Sequence, residues 1–238
     1  MNDTFPRLLL DHAERRPKAP ALREKRLGIW NTLDWATLAE LVRDLAEGLH
    51  AAGLERGGHL VVVGENRPRL YAAMLAAQSL GAVAVPLYQD AAATEFTFPM
   101  ANAEVRHAIV EDQEQVDKML EVREKHPLLD RIWYDDPRGL RHYREPGVGS
   151  LDSLVEAGRA ARAAGSRIFE REVAAGRPED VAAMFFTSGT TGTPKGVVHT
   201  HGSLLDRASA GARFDRLTER EDVLAYLPAA WIGQNVFS

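Results

Sequence analysis

At 238 residues the chain is long enough for one large domain or two small ones with a sizeable core, and its 45% hydrophobic and 26% charged content is that of an ordinary soluble globular protein. A net charge of −5 gives no electrostatic case for nucleic acid, and no basic run offers a patch for a membrane surface. The lack of cysteine removes disulfides, thiolate metal sites and a cysteine nucleophile, and fits a reducing compartment. The start Met1-Asn2-Asp3-Thr4 is polar and Leu8-Leu9-Leu10 stops at Asp11, too short for a signal peptide. No apolar run approaches membrane-spanning length, so a soluble, cytoplasmic chain is expected.

In chain order, residues 4–16 predict a short helix, with Phe5, Leu8, Leu9 and the amphipathic His12 at helical spacing and Pro17 and Pro20 at its end. A strand is expected over 30–33. Asp34 then caps a long helix whose stripe is Leu38, Leu41, Val42, Leu45, Ala46 and Leu49, closed by Gly53. The β-branched run Leu60-Val61-Val62-Val63 is that of a buried parallel strand. A helix over 68–80 and a strand over 82–88 complete a strand–helix–strand unit. The pattern repeats with a helix over 95–103 despite Pro99, a strand over 105–110, a helix over 113–125 and a strand over 131–134. Residues 135–149, charged and rich in Gly and Pro, predict an irregular surface loop, followed by helices over 151–164 and 168–175. Two strands flanking a loop, a helix over 203–212 and a strand over 223–227 close the series. Such alternation argues for an α/β fold, with largely parallel sheets and flanking helices.

The stretch that carries chemistry is Thr187-Ser188-Gly189-Thr190-Thr191-Gly192-Thr193-Pro194-Lys195-Gly196, set between the apolar runs Met184-Phe185-Phe186 and Val197-Val198. Gly189 and Gly192 permit backbone conformations in which successive N–H groups turn toward one anion. Thr187, Ser188, Thr190, Thr191 and Thr193 add hydroxyls able to donate to phosphate oxygens or reach a metal's water shell. Lys195 adds a mobile positive charge, and Pro194 stiffens the exit. The composition is that of a polyphosphate grip. It is not the P-loop of the common NTPases, which needs Gly-Lys-Ser/Thr opening a helix, whereas Gly196 here leads into a β-favouring Val-Val pair.

This ordered string resembles the signature of the AMP-forming adenylating enzymes, the superfamily of acyl-CoA synthetases, peptide-synthetase adenylation domains and firefly luciferase. Leu33-Asp34-Trp35 with Glu40-Leu41, and the block from Leu80-Gly81-Ala82 to Pro86-Leu87, resemble further segments of that family, in order. The segments from Glu111-Asp112-Gln113 to Lys118 and from Tyr134-Asp135-Asp136 to Leu140 are similar to its long-chain fatty acyl-CoA synthetase branch. On composition alone these last two are a charged helix start and a charged loop.

The resemblance implies two steps: a carboxylic acid attacks the α-phosphorus of ATP to give an acyl-adenylate and pyrophosphate, and coenzyme A then takes the acyl group. It implies ATP, Mg2+ and coenzyme A, a small-molecule carboxylic acid (a long-chain fatty acid) as substrate, and ATP phosphates held by Thr187, Ser188, Gly189, Thr190, Thr191, Gly192, Thr193, Lys195 and Gly196. In Leu227-Pro228-Ala229-Ala230-Trp231, Trp231 would line the acyl or adenylate pocket, or else be an ordinary buried core tryptophan.

The family's adenine-binding aromatic, metal-linked glutamate, ribose-binding aspartate and catalytic lysine have no counterpart. No catalytic residue is therefore assigned, and residues 1–238 are expected to be the N-terminal portion of the adenylation domain, without its C-terminal lid domain and inactive alone. His199 and His201 stand at alternate positions but with no third ligand, so no metal site is assigned; Thr200 or His201 is expected to cap the next helix instead. Two other readings stay open: an adenylation enzyme that passes the acyl group to a carrier protein, and a non-catalytic nucleotide- or partner-binding protein that keeps the phosphate loop.

Overall fold

The structure is a computed structural model and describes residues 3–187 and 194–237. Thr4 opens helix α1 (Phe5–Arg15) by accepting from the Arg7 amide. Strands β1 (Pro20–Arg26) and β2 (Ile29–Asp34) then form an antiparallel hairpin. Only the second of these strands is foreseen in the sequence. Arg23, Glu24, Lys25 and Arg26 hide the first, because neither of its faces is apolar enough to show a period of two. The turn between them is made by Leu27 and Gly28, both at positive φ, as a two-residue hairpin with matching twist requires.

Asp34 caps α2 (Trp35–Ala51) through the Thr37 amide, as its position predicts. There follow β3 (His59–Val63), α3 (Pro68–Ser79), β4 (Val83–Leu87), α4 (Ala93–Asn102), β5 (His107–Val110), α5 (Gln113–Lys125) and β6 (Arg131–Tyr134). Next come β7 (Val148–Ser150), α6 (Leu151–Ala163), α7 (Ile168–Ala175), β8 (Val181–Thr187), β9 (Lys195–Thr200), α8 (His201–Asp215) and α9 (Ile232–Phe237). The expected loop over 135–149 thus ends in a strand. β7 pairs with β6 over only three residues, too short to leave a periodic signal.

Seven strands lie in the order β7-β6-β5-β3-β4-β8-β9, parallel except for β9. Alternate residues feed two cores, as the pleat dictates. Leu60, Val62, Ala84, Ile109 and Trp133 pack on one face with α1, α2, α3, α6 and α7. Val61, Val63, Val85, Ala108, Val110 and Ile132 pack on the other with α4 and α5. Each fully buried Leu or Val of these layers contributes roughly 1.5–3 kcal/mol. No described helix is long and apolar enough to cross a membrane.

On the first face α2 and α6 touch backbone to backbone. A Cβ on Gly158 would stand 1.8 Å from the Asp44 carbonyl oxygen, so no side chain fits there. Two buried carboxylates at that seam are satisfied: Asp44 by Arg159 and Arg162, Glu47 by the Ser166 hydroxyl and the Phe169 amide.

From β3 the chain turns through α3 to β4 on one side, and from β5 through α5 to β6 on the other, with the two helices on opposite faces. The carboxyl ends of β3 and β5 therefore flank a topological switch point.

The strand expected over 223–227 is absent. Val223, Leu224 and Tyr226 are exposed and no ladder pairs them, because β-favouring side chains make a strand only against a partner.

Candidate functional site

β8 enters the site from the sheet interior. It pairs with β4 at Ala84 and Ala183, and the Gln78 carboxamide donates to the Ala182 carbonyl at 3.2 Å. Arg56 braces its approach through Glu172 at 2.9 Å and Asp180 at 3.0 Å. β9 returns antiparallel, in the register Phe186 to Gly196 and Thr187 to Lys195. The two strands are as the sequence predicts, but they run further than expected: Thr187, Lys195 and Gly196, expected in the loop, are paired residues of β8 and β9. Thr187 and Lys195 thus face each other across the mouth of that loop, both exposed.

Gly196 lies tight against its surroundings. A Cβ there would meet the Met184 sulfur at 3.0 Å, with Asn102 Oδ1 and the Phe186 ring at 3.3 Å. Phe98 of α4 meets the Phe186 ring edge-on at 6.5 Å, so the hairpin rests on the C-terminal half of α4. Ser188, Gly189, Thr190, Thr191, Gly192 and Thr193 lie outside the described residues.

Past β9, Thr200 caps α8 through the Ser203 amide at 3.1 Å, as expected for one of the two candidates. His201 goes inward: its Nδ1 accepts the Phe5 amide at 3.3 Å and its ring lies against that of Phe5. Burial lowers its pKa to about 4, against the pull of Asp180 and Asp3, so the ring is neutral near pH 7. His199 instead meets Phe185 edge-on. Among the described residues no three His, Cys, Asp or Glu side chains gather as a metal cluster.

Trp231 lies on a separate segment, after a turn in which its amide donates to the Pro228 carbonyl at 2.9 Å. At 55% exposure it is not a core tryptophan. Among the described residues no hydrogen bond or ring contact joins it to Thr187, Lys195 or Gly196.

One polar group escapes the sequence reading. β3, β5 and β6 each exit into charged residues, Gly64-Glu65, Glu111-Asp112 and Asp135-Asp136, and that repetition at successive strand ends is the signal that could have found it. Glu111 accepts the Glu65 amide at 2.6 Å and pairs with Arg67 at 2.6 Å. Burial disfavours the Arg67 cation, but the Glu111 carboxylate more than offsets this and its pKa is raised. Asp135 is pushed up by burial, with Arg69 at 3.1 Å opposing. Asp136 is held low by hydrogen bonds from Arg138.

Known proteins bear on this arrangement. The family described as AMP-binding enzyme matches residues 9–237. The chain is 28% identical over 233 residues to the long-chain-fatty-acid–CoA ligase ACSBG2 of Homo sapiens, covering 97% of this chain and 34% of that protein. It is likewise 28% identical over 244 residues to the long-chain-fatty-acid–CoA ligase heimdall of Drosophila melanogaster, covering 98% and 35%. The chain therefore spans about a third of the length of these curated relatives. Among solved structures, acetoacetyl-CoA synthetase from Streptomyces lividans superposes with a TM-score of 0.80 at 20% identity, over 98% of this chain and 36% of that one. The N-terminal domain of FACL13 from Mycobacterium tuberculosis does so at 0.72 and 24%, over 98% and 54%. At these identities the two structures speak to the fold.

Proposed function

The chain belongs to the family of AMP-binding enzymes, and from that premise we propose that it supplies the phosphate-binding part of a cytoplasmic AMP-forming acyl-CoA synthetase acting on a long-chain fatty acid. The observation that carries this reading is the β8–β9 hairpin, which sets Thr187 opposite Lys195 at the mouth of a loop bearing the phosphate-grip composition. The chain is the N-terminal portion of the adenylation domain, in keeping with its span of about a third of its relatives.

In the first half-reaction a carboxylate oxygen bonds to the α-phosphorus of ATP, and the bond from that phosphorus to the bridging oxygen breaks, releasing pyrophosphate. In the second, the sulfur of coenzyme A attacks the acyl carbonyl and AMP leaves. Such chemistry asks the protein for alignment and for charge against the leaving phosphates. Lys195 holds its ammonium at the mouth, where it offsets charge on the departing pyrophosphate. Thr187 and the hydroxyls and amides of Ser188, Gly189, Thr190, Thr191, Gly192, Thr193 and Gly196 orient the phosphate chain, and Trp231 borders the acyl side.

The described residues form no carboxylate cage for a divalent ion, and Mg2+ carried on nucleotide phosphates with its own waters needs none. The Thr187 hydroxyl is the described group suited to that water shell. When bound, Mg2+ neutralises phosphate oxygens.

The test is acid-dependent ATP–pyrophosphate exchange by the complete gene product. Hexadecanoate is expected to drive exchange more than about tenfold faster than acetate, since each buried methylene adds to discrimination. Equal rates with acetate would remove the long-chain assignment, and no exchange with any carboxylic acid would remove the activity.

A further inference from the structure

Residues 225–231 make no ladder, yet they are held at one place on the sheet, and a single side chain does much of the holding. The Asn66 carboxamide donates to the Ala225 carbonyl at 3.1 Å and to the Leu227 carbonyl at 2.8 Å. Its own oxygen accepts the Tyr71 hydroxyl at 2.8 Å. Both carbonyls turn to one carboxamide, so Asn66 takes the role that a neighbouring strand would play. Ala225 and Leu227 are accordingly half-buried, while Leu224 and Tyr226 between and beside them face solvent. Further along, the Leu227 amide donates to Gln234 Oε1 at 3.0 Å, and Asn235 donates to the carbonyls of Ala229 and Trp231. These bonds knit the segment to itself; Asn66 ties it to the sheet. The pairs of Arg16 with Glu219 and Arg23 with Asp222 lie earlier in the chain, and with both carboxylates exposed such ion pairs contribute little.

Asn66 is well placed to act as an anchor because its own turn is fixed. Gly64 has no room for a side chain, since a Cβ would come within 2.6 Å of both Glu111 Cβ and Leu70 Cδ1. The carboxylate of Glu111, from the end of β5, grips the turn at the Glu65 amide and at Arg67. A rigid relay therefore runs from the switch point of the sheet through Glu111 and the 64–67 turn to Asn66, and on to the segment that carries Trp231.

We propose that Asn66, oriented by Tyr71 and seated on the Glu111-braced turn, is the positioning residue that sets the 225–231 segment and with it Trp231 against the substrate. The proposal rests on the reading of that segment as the acyl or adenylate side of the site. Asn66 touches no reacting atom; it acts through the backbone of Ala225 and Leu227.

The test uses the complete gene product labelled with 5-fluorotryptophan, with the resonances of Trp30, Trp35, Trp133 and Trp231 assigned by their loss in single Trp→Phe variants. Asn66→Asp keeps the shape but replaces the donor with an acceptor that both carbonyls repel. It is expected to move the Trp231 resonance while the other three stay, with a smaller shift in the same direction for Tyr71→Phe, which folds with its ring retained. An unmoved Trp231 resonance overturns the clamp, and so does a common shift of all four, which would make Asn66 a general folding residue. Titration with hexadecanoyl sulfamoyladenosine adds the functional arm: the Kd is expected to rise about tenfold or more in Asn66→Asp, the worth of two hydrogen bonds. An unchanged Kd overturns the role in the site. If the wild type fails to bind this probe, the substrate reading falls, while the ligand-free spectra still decide the clamp.

Discussion

From α2 to β6 nearly every large apolar side chain is buried on one face or the other, whereas from β9 onward many large apolar side chains stand in solvent. Leu45, Leu60, Val61 and Ile109 are fully buried; Phe214, Leu224 and Tyr226 are 87%, 76% and 74% exposed. The two regions do not differ in hydrophobic character. They differ in whether a partner surface exists among the described residues, and burial rather than composition is what stabilises. Beyond the small buried cluster of Leu204 with Ala182, Ala183 and Phe185, the outer region is anchored by particular polar contacts, His201 to the Phe5 amide and Asn66 to two carbonyls.

That contrast is open to direct attack, beginning where the largest effect is expected. Leu45→Ala should cost about 2–5 kcal/mol in urea unfolding, since a fully packed site cannot collapse around the missing atoms. A cost below about 1 kcal/mol would show that the sheet region is looser than its burial implies. Next, His201 should make stability fall with acid. Its folded pKa of about 4 lies below the ordinary 6.5, so between these values the unfolded chain binds a proton that the native one refuses. Stability present above pH 6.5 is therefore lost as pH falls toward 4, by about 3 kcal/mol. His201→Asn keeps an acceptor for the Phe5 amide but cannot titrate, and its urea midpoint should vary less over this window than that of the wild type. Parallel pH profiles would mean that the histidine is not the anchor. At the small end, Leu224→Ser should stay within about 0.5 kcal/mol, the usual range for an exposed site. A cost near that of Leu45→Ala would erase the distinction between the two regions.

The same distinction explains what the sequence disclosed. The helices over 113–125 and 168–175 and the strand over 131–134 are legible to the residue, because caps and periodic burial are local signals. Asp34 and Thr200 cap as their positions foretell. The run Val223-Leu224-Ala225-Tyr226-Leu227 has the side chains of a strand, but a strand is a relation between segments. Here its carbonyls go to a side chain 159 and 161 positions away. β1 is hidden for the opposite reason: its pairing is firm while its residues are charged. Of the candidate site, Thr187, Lys195 and Gly196 are paired strand residues where the sequence predicts loop, because ladder pairing continues into polar residues that leave no apolar signal. The roles of Glu111 and Asn66 stay invisible, because they depend on which strand ends the sheet order brings together.

Lys195→Ala puts the proposed grip of the β8–β9 hairpin on the phosphates of ATP to a direct test. Lys195 is exposed and takes no part in either core, so its loss should leave the melting temperature unchanged. Acid-dependent ATP–pyrophosphate exchange by the complete gene product should meanwhile slow by about 1–3 kcal/mol of transition-state stabilisation, the worth of a charge-assisted phosphate contact. An undiminished exchange rate in a stably folded Lys195→Ala protein would contradict the account.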